Sequence, residues 1–167
     1  MTLNLKMWIS TIACFFTLSL HAQTVSTKPN SKFEGIQIGV ITYSYRSMPH
    51  DIDKLINFCL ASGISAIELM GDAVEEYAGK PKADFSWRSG PRQPMTDLQK
   101  AQVATYNKQV ADWRATVSMD KFIEVRKKFD AAGIKIYAFK PNAFSPNNTD
   151  EEVSYGMRVA KVLGAKS

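Results

Sequence analysis

Three phrases in the chain repeat one pattern: ASGISAIEL at residues 61–69, AAGIKIYAF at 131–139 and VLGAKS at 162–167. Each is the end of an apolar helix, a glycine, and the start of a strand. Glycine suits this position because it adopts the left-handed conformation that closes a helix. Strands that alternate with helices build βαβ units and a parallel sheet. Such a sheet needs cover on both faces. The third phrase stops at Ser167, three residues past its glycine. Three strands and an interrupted fourth leave an open edge. The pattern therefore predicts the N-terminal part of a longer α/β protein, with a short natural α/β domain as the alternative.

The elements between the glycines follow from periodicity. IQIGVITYSY, residues 36–45, reads as the first buried strand. In DIDKLINFCLAS, Ile52, Leu55, Ile56, Cys59 and Leu60 share one helical face. ISAIELM, residues 64–70, is the second strand and GIKIYAFKPN, residues 133–142, contains the third. The helix before it is SMDKFIEVRKKFDAA, with Ser118 as N-cap and Phe122, Val125 and Phe129 inward. A last helix starts at Thr149, where TDEE forms a capping box with Glu152. Val153, Met157 and Ala160 make its predicted inner face.

A long insertion, residues 71–117, separates the second strand from its helix. GDAVEEYAGKP reads as a short helix closed by Gly79 and Pro81. ADFSWRSGPRQP is a loop, and TDLQKAQVATYNKQVADWRAT is a helix with Thr96 as N-cap and Gln99 completing a capping box. Insertions of this size are either active-site lids or decorated surface loops.

The first 22 residues have the layout of a secretory signal. One lysine precedes the apolar run MWISTIACFFTLSL, and HAQ offers cleavage after Ala22; an uncleaved anchor is the alternative. Residues 23–34 read as a polar linker, and residues 35–167 as the folded part. The expected location is a periplasm or the cell exterior, with no membrane attachment once the signal is cut. Removing the signal leaves Cys59 as the one cysteine, on the apolar face of a helix, so no intramolecular disulfide forms. Histidine is equally scarce, His21 and His50, and no His/Cys zinc pattern exists. The charge of +5 is dispersed, unlike the clustered footprint of a nucleic-acid binder.

In parallel α/β folds, ligands bind beyond the C-terminal ends of the strands. The first strand brings Tyr43, Tyr45 and Arg46 there, the second Glu68 and Asp72, the third Lys140 and Asn142. Glu68 lies between Ile67 and Leu69, so it points away from the helix layer. A buried carboxylate is costly unless it is paired or bound to something. Lys140, one strand away, is that partner in an internal ion pair, or both groups hold substrate. Tyr43 offers a ring for a sugar. In the insertion, Trp87 with Arg88 and Arg92 offer contacts to an anionic or carbohydrate ligand, while Trp113 reads as a packing anchor. No phosphate-binding glycine loop and no GxSxG elbow occurs.

IGVITYSYR, then a helix, then GISAIELMGD resembles the start of the sugar phosphate isomerase/epimerase family, whose fold is a xylose isomerase-like TIM barrel. VADWRATVSMDKFIEVRKKFDAAGIKIYAFKPN is similar to exported bacterial members with an insertion before the second helix. The likeness runs over residues 35–167. It implies a (β/α)8 barrel, of which these residues are the first three βα units with the insertion. It implies a divalent metal whose Glu, Asp and His ligands come from later strands, so no ligand is assigned here. The metal would stabilise an enediolate while carboxylates move a proton. Tyr43, Glu68 and Lys140 match strand ends lining the family's pocket; Asn142, Trp87 and Arg88 complete the substrate-binding set. The implied partner is a small carbohydrate, a free sugar or oxidised glycoside given export, and the whole protein leaves room for a homo-oligomer. These 167 residues by themselves are expected to lack activity. A non-catalytic exported carbohydrate-binding barrel is the alternative, and an endonuclease of the same superfamily is disfavoured by charge and export.

Overall fold

The computed structural model describes residues 28–49, 51–85 and 94–166. The expected signal, residues 1–22, and His50, Trp87, Arg88 and Arg92 lie outside the described residues. The elements are β1 (Lys32–Phe33), β2 (Ile36–Gln37), β3 (Val40–Ile41), α1 (Ile52–Ala61) and β4 (Ala66–Met70). There follow α2 (Gly71–Tyr77), α3 (Asp97–Thr116), α4 (Asp120–Ala132), β5 (Lys135–Lys140) and α5 (Asp150–Leu163). The chain is a mixed α/β protein in which β3, β4 and β5 form a parallel sheet in sequential order.

The predicted first strand divides into three pieces. Ile36 and Gln37 turn back on Phe33 and Lys32 as an antiparallel hairpin, which makes the end of the expected linker a strand. The two-residue turn between them, Glu34 and Gly35, has φ of 47° and 85°. Positive φ at both positions matches the twist of a tight hairpin. Reciprocal bonds hold the hairpin to the start of β4: Ser31 N donates to Ser65 Oγ at 3.0 Å, and Ser65 N to Ser31 Oγ at 2.9 Å. Only Val40 and Ile41 join the parallel ladder. Residues Thr42–Tyr45 then wind into a 3-10 turn, and the Thr42 hydroxyl accepts from Met70 N at 3.0 Å where the ladder would have continued.

The sheet has two unlike faces. Ile67 and Leu69 of β4 with Ile136 and Phe139 of β5 enter one core. That core also takes Leu55 and Cys59 from α1, Phe122, Val125 and Phe129 from α4, and Tyr155, Val159 and Leu163 from α5. Each fully buried large apolar side chain contributes about 1.5–3 kcal/mol of transfer free energy. Ile136 and Phe139 are three apart, an impossible spacing for one face of a regular strand. A bulge opposite Ile67 and Glu68 resolves it: Ile67 pairs with Ile136 but Glu68 pairs with Ala138. The register places Ile41, Glu68, Met70, Ala138 and Lys140 on the face away from the helices.

Two predicted helix faces need correction. Leu60, expected inward, is exposed at the end of α1. On α5 the inward residues are Tyr155, Gly156, Val159 and Leu163, whereas Val153 and Met157 are exposed. Tyr155 supplies the largest buried area, and its ring sits edge-on to Trp113 and Phe122 at 5.9 Å and 6.2 Å, which sets the rotation of the helix. Trp113 is the packing anchor expected. The cap of α4 also moves by one residue: Met119 is its N-cap, and the Ser118 hydroxyl still accepts from Asp120 N at 3.2 Å.

Candidate functional site

Beyond the C-terminal ends of β4 and β5 the chain assembles a line of charges. Gly71 makes this approach feasible. A Cβ there would meet Asn142 N at 3.1 Å and Pro141 Cα at 3.4 Å, so a side chain would press on the neighbouring backbone and glycine lets the two strand ends lie this close without a shift. As a result Asn142 Nδ2 donates to Asp72 Oδ1 at 2.6 Å. The Lys80 ammonium reaches the same Asp72 oxygen at 3.4 Å and Glu75 Oε2 at 3.2 Å.

Glu75 is the centre of the array, at 1% exposure. Arg114, from α3, donates Nε to Glu75 Oε1 at 3.0 Å and Nη2 to Oε2 at 3.3 Å. Its remaining arm, Nη1, donates to Glu152 Oε1 at 2.8 Å. The Tyr155 hydroxyl donates to Glu75 Oε1 at 3.3 Å. Asn148 Nδ2 donates to Glu152 Oε2 at 2.9 Å. A single buried guanidinium thus ties the insertion helix to α2 and to the first turn of α5. The fork geometry of arginine suits it to two carboxylates at once.

The protonation states follow from this pairing. Burial pulls the Arg114 and Lys80 cations down, but the Glu75 carboxylate, helped by Glu152 or Asp72, more than offsets it and both lie above their ordinary values. Burial works against the Glu152 carboxylate, yet the Asn148 and Arg114 hydrogen bonds prevail and hold it below the usual range. Burial, then the Glu75 charge, pushes the Tyr155 phenol far up, so it stays a neutral donor.

A cleft of about 960 Å³ opens over this array. Its lining comes from the loop after α2, from one face of α3 (Tyr106, Val110 and Arg114) and from the loop between β5 and α5.

The residues singled out in the sequence are only partly gathered here. Asn142 lies in the cleft wall beside Asp72. Glu68 and Lys140 lie on the face of the sheet away from the helices, which no helix of the described residues covers, half-buried and exposed respectively. The register pairs Lys140 with Met70 rather than Glu68, and no ion pair joins them among the described residues. Tyr43 is 55% exposed in the 3-10 turn, with the Arg46 guanidinium 4.7 Å from its ring centroid. Tyr45 turns the other way and packs its ring on Phe58 of α1, at 5.2 Å. Trp87 and Arg88 fall outside the described residues.

Sequence periodicity does not single out Glu75, Lys80, Arg114 and Glu152 as a group. The available signal is Arg114 itself. It continues the inward stripe of Tyr106 and Val110 at helical spacing, where an apolar residue belongs. A charge in that place calls for a buried counter-charge.

The carboxylates of this array do not suit a divalent metal. Asp72, Glu75 and Glu152 each already bind a cation of the protein, and no three His, Cys, Asp or Glu side chains converge among the described residues. No helix of the described residues is long and apolar enough to cross a membrane. Comparison of the chain with family models, with curated proteins and with solved structures finds no match.

Proposed function

We propose that these residues are the first three βα units of a xylose isomerase-like (β/α)8 barrel, exported from the cell, whose activity is isomerisation or epimerisation of a sugar or keto-sugar. The observation that carries the reading is the sheet. Sequential parallel order, β3-β4-β5, with every core-forming helix on one face, is how a barrel wall is laid down. A doubly wound sheet shares this local order and reverses only at its switch point, so the reading requires the next strands to continue the same sequence around the wall. The bare face then becomes the barrel interior, and Glu68, Met70 and Lys140 line it near the mouth.

In this reading the chain supplies binding and orientation. Lys140 and Glu68, unpaired with each other, offer a donor and an acceptor to substrate hydroxyls. Any metal ligands of the barrel belong to other strands, and the array around Glu75 is scaffolding for the mouth.

The test is proton exchange. The protein expressed from its natural gene is supplied with Mg2+ or Mn2+ in D2O and given free aldoses, ketoses and oxidised glycosides. Deuterium incorporation next to the sugar carbonyl, followed by proton NMR, is the expected result. Absence of exchange with every divalent metal overturns the enzyme reading. Saccharide binding without exchange identifies the non-catalytic barrel instead.

A further inference from the structure

The cleft beside the sheet raises a separate question, because it lies among α3 and two loops rather than on the bare face of the sheet. Its volume, about 960 Å³, falls at the upper end of ordinary small-molecule sites.

We infer that this cleft binds a neutral saccharide, in contact with Tyr106, Asn107 and Asn147, and does not bind a phosphorylated sugar. This deepens the carbohydrate reading above and rests on it for the substrate class.

Charge carries the first part of the argument. Three cations line the cleft, Lys80, Lys82 and Arg114, against three carboxylates, Asp72, Glu76 and Glu152. Lys80 and Arg114 are further committed to buried Glu75. The first turn of α5 carries Asp150, Glu151 and Glu152, so its helix N-terminus already faces negative charge. A phosphate dianion would meet Lys82, the one lining cation not engaged among the described residues, and the lining carboxylates Asp72, Glu76 and Glu152. A neutral polyol meets no such opposition.

The lining chemistry carries the second part. Tyr106 and Phe85 pack edge to face with centroids 5.9 Å apart and, with Val110, give an apolar wall. The loop between β5 and α5 gives a second, amide-rich wall. There Asn142 and Asn148 are fixed by Asp72 and Glu152, at 2.6 Å and 2.9 Å. The side-chain amides of Asn147 and Asn107 have no partner among the described residues, and each offers donors and an acceptor at an exposed site. A pyranose has the matching division, an apolar C–H face and a rim of hydroxyls. The fixed asparagines and the locked arginine hold the wall in place before a ligand arrives, which lowers the cost of binding.

The experiment uses the protein expressed from its natural gene, with glucose, cellobiose, maltose and glucose 6-phosphate as probes in saturation-transfer NMR and calorimetric titration. A neutral sugar is expected to bind, and glucose 6-phosphate to bind more weakly than glucose. Asn107→Ala and Asn147→Ala should each weaken binding about fivefold, the loss of one hydrogen bond. Tyr106→Ala should weaken it further. The asparagines are exposed, so their variants should keep the parent melting temperature. Tighter binding of the phosphate ester, or unchanged binding in both asparagine variants, overturns the inference. The two readings separate cleanly. Deuterium exchange that proceeds while the saccharide titrations of both asparagine variants match the parent leaves the isomerase intact and removes the cleft. Binding that depends on the asparagines, with no exchange by any form, keeps the cleft and removes the isomerase.

Discussion

Replacing Arg114 by alanine tests the claim that one guanidinium holds the insertion to the rest of the fold. The side chain is 7% exposed, and Glu75 beneath it is 1% exposed. Alanine removes two hydrogen bonds to Glu75 and one to Glu152. Breaking a buried pair from one side costs roughly 3–5 kcal/mol, because the remaining charge is left without its partner. Glu75 keeps Lys80 at 3.2 Å and the Tyr155 hydroxyl at 3.3 Å, so the cost belongs at the lower end, about 3 kcal/mol. With a urea m-value of about 2 kcal/mol/M, that is a fall of about 1.5 M in the unfolding midpoint. Glu75→Gln with Arg114 intact tests the other side. The double variant Glu75→Leu/Arg114→Met removes both charges, and recovery of most of the loss is expected, since an apolar pair of similar size has no desolvation to repay. A loss below about 1 kcal/mol for Arg114→Ala would show that the pair behaves as an exposed one, and would refute the reasoning.

Four further outcomes follow from single contacts. Tyr155→Phe removes only the hydroxyl bond to Glu75 and should cost about 1 kcal/mol, whereas Met157→Lys on the exposed face of the same helix should stay within about 0.5 kcal/mol, both read by urea unfolding. Gly71→Ala should cost about 1–3 kcal/mol by forcing its Cβ against the Pro141–Asn142 backbone, measured the same way. Gly133 has φ of 75°, and a Cβ added to it would meet the Lys28 side chain at 2.8 Å, so Gly133→Ala should lower the melting temperature through backbone strain. The Glu152 carboxylate is depressed in the folded state, so its stabilisation is present above the ordinary glutamate value and is lost as pH falls through its folded value. The Glu152 contribution should therefore stay constant from neutral pH downward until that acid range, and Glu152→Gln should flatten part of the acid decline in a pH series of thermal melts.

Local chemistry was legible in the sequence to a degree that long-range chemistry was not. Both capping boxes form as read: the Thr96 hydroxyl accepts from Gln99 N at 3.2 Å and the Thr149 hydroxyl from Glu152 N at 3.3 Å. Gly133 and Gly164 close their helices at φ of 75°. These signals involve neighbours in the chain, so one window of sequence contains them. The parallel β3-β4-β5 sheet was legible because glycine-to-strand phrases recur. The bulge was not, since it answers to a mismatch between two strands nearly seventy residues apart. The face of α5 differs from its sequence pattern because Val153, Met157 and Ala160 are periodic too. Hydrophobic spacing alone does not weigh a valine against a tyrosine that reaches both Trp113 and Phe122.

The array around Glu75 shows why the buried charge lies there and not at the expected Glu68–Lys140 pair. A carboxylate that is only half-buried keeps part of its hydration and does not require a cation. Glu68 is in that position, and the sheet leaves it half-buried. Glu75 is not; it lies in the first helix after β4, between Val74 and the packing of α5, and is sealed on every side. Desolvation therefore demanded three donors at Glu75 and none at Glu68. Those donors come from the loop after α2, from α3 and from α5, so the requirement of one carboxylate fixes where three segments meet. The cleft exists because they meet there. Its shape should respond to Arg114 more than to any residue that lines it openly, and the saccharide titration of Arg114→Ala should lose more affinity than that of either asparagine variant.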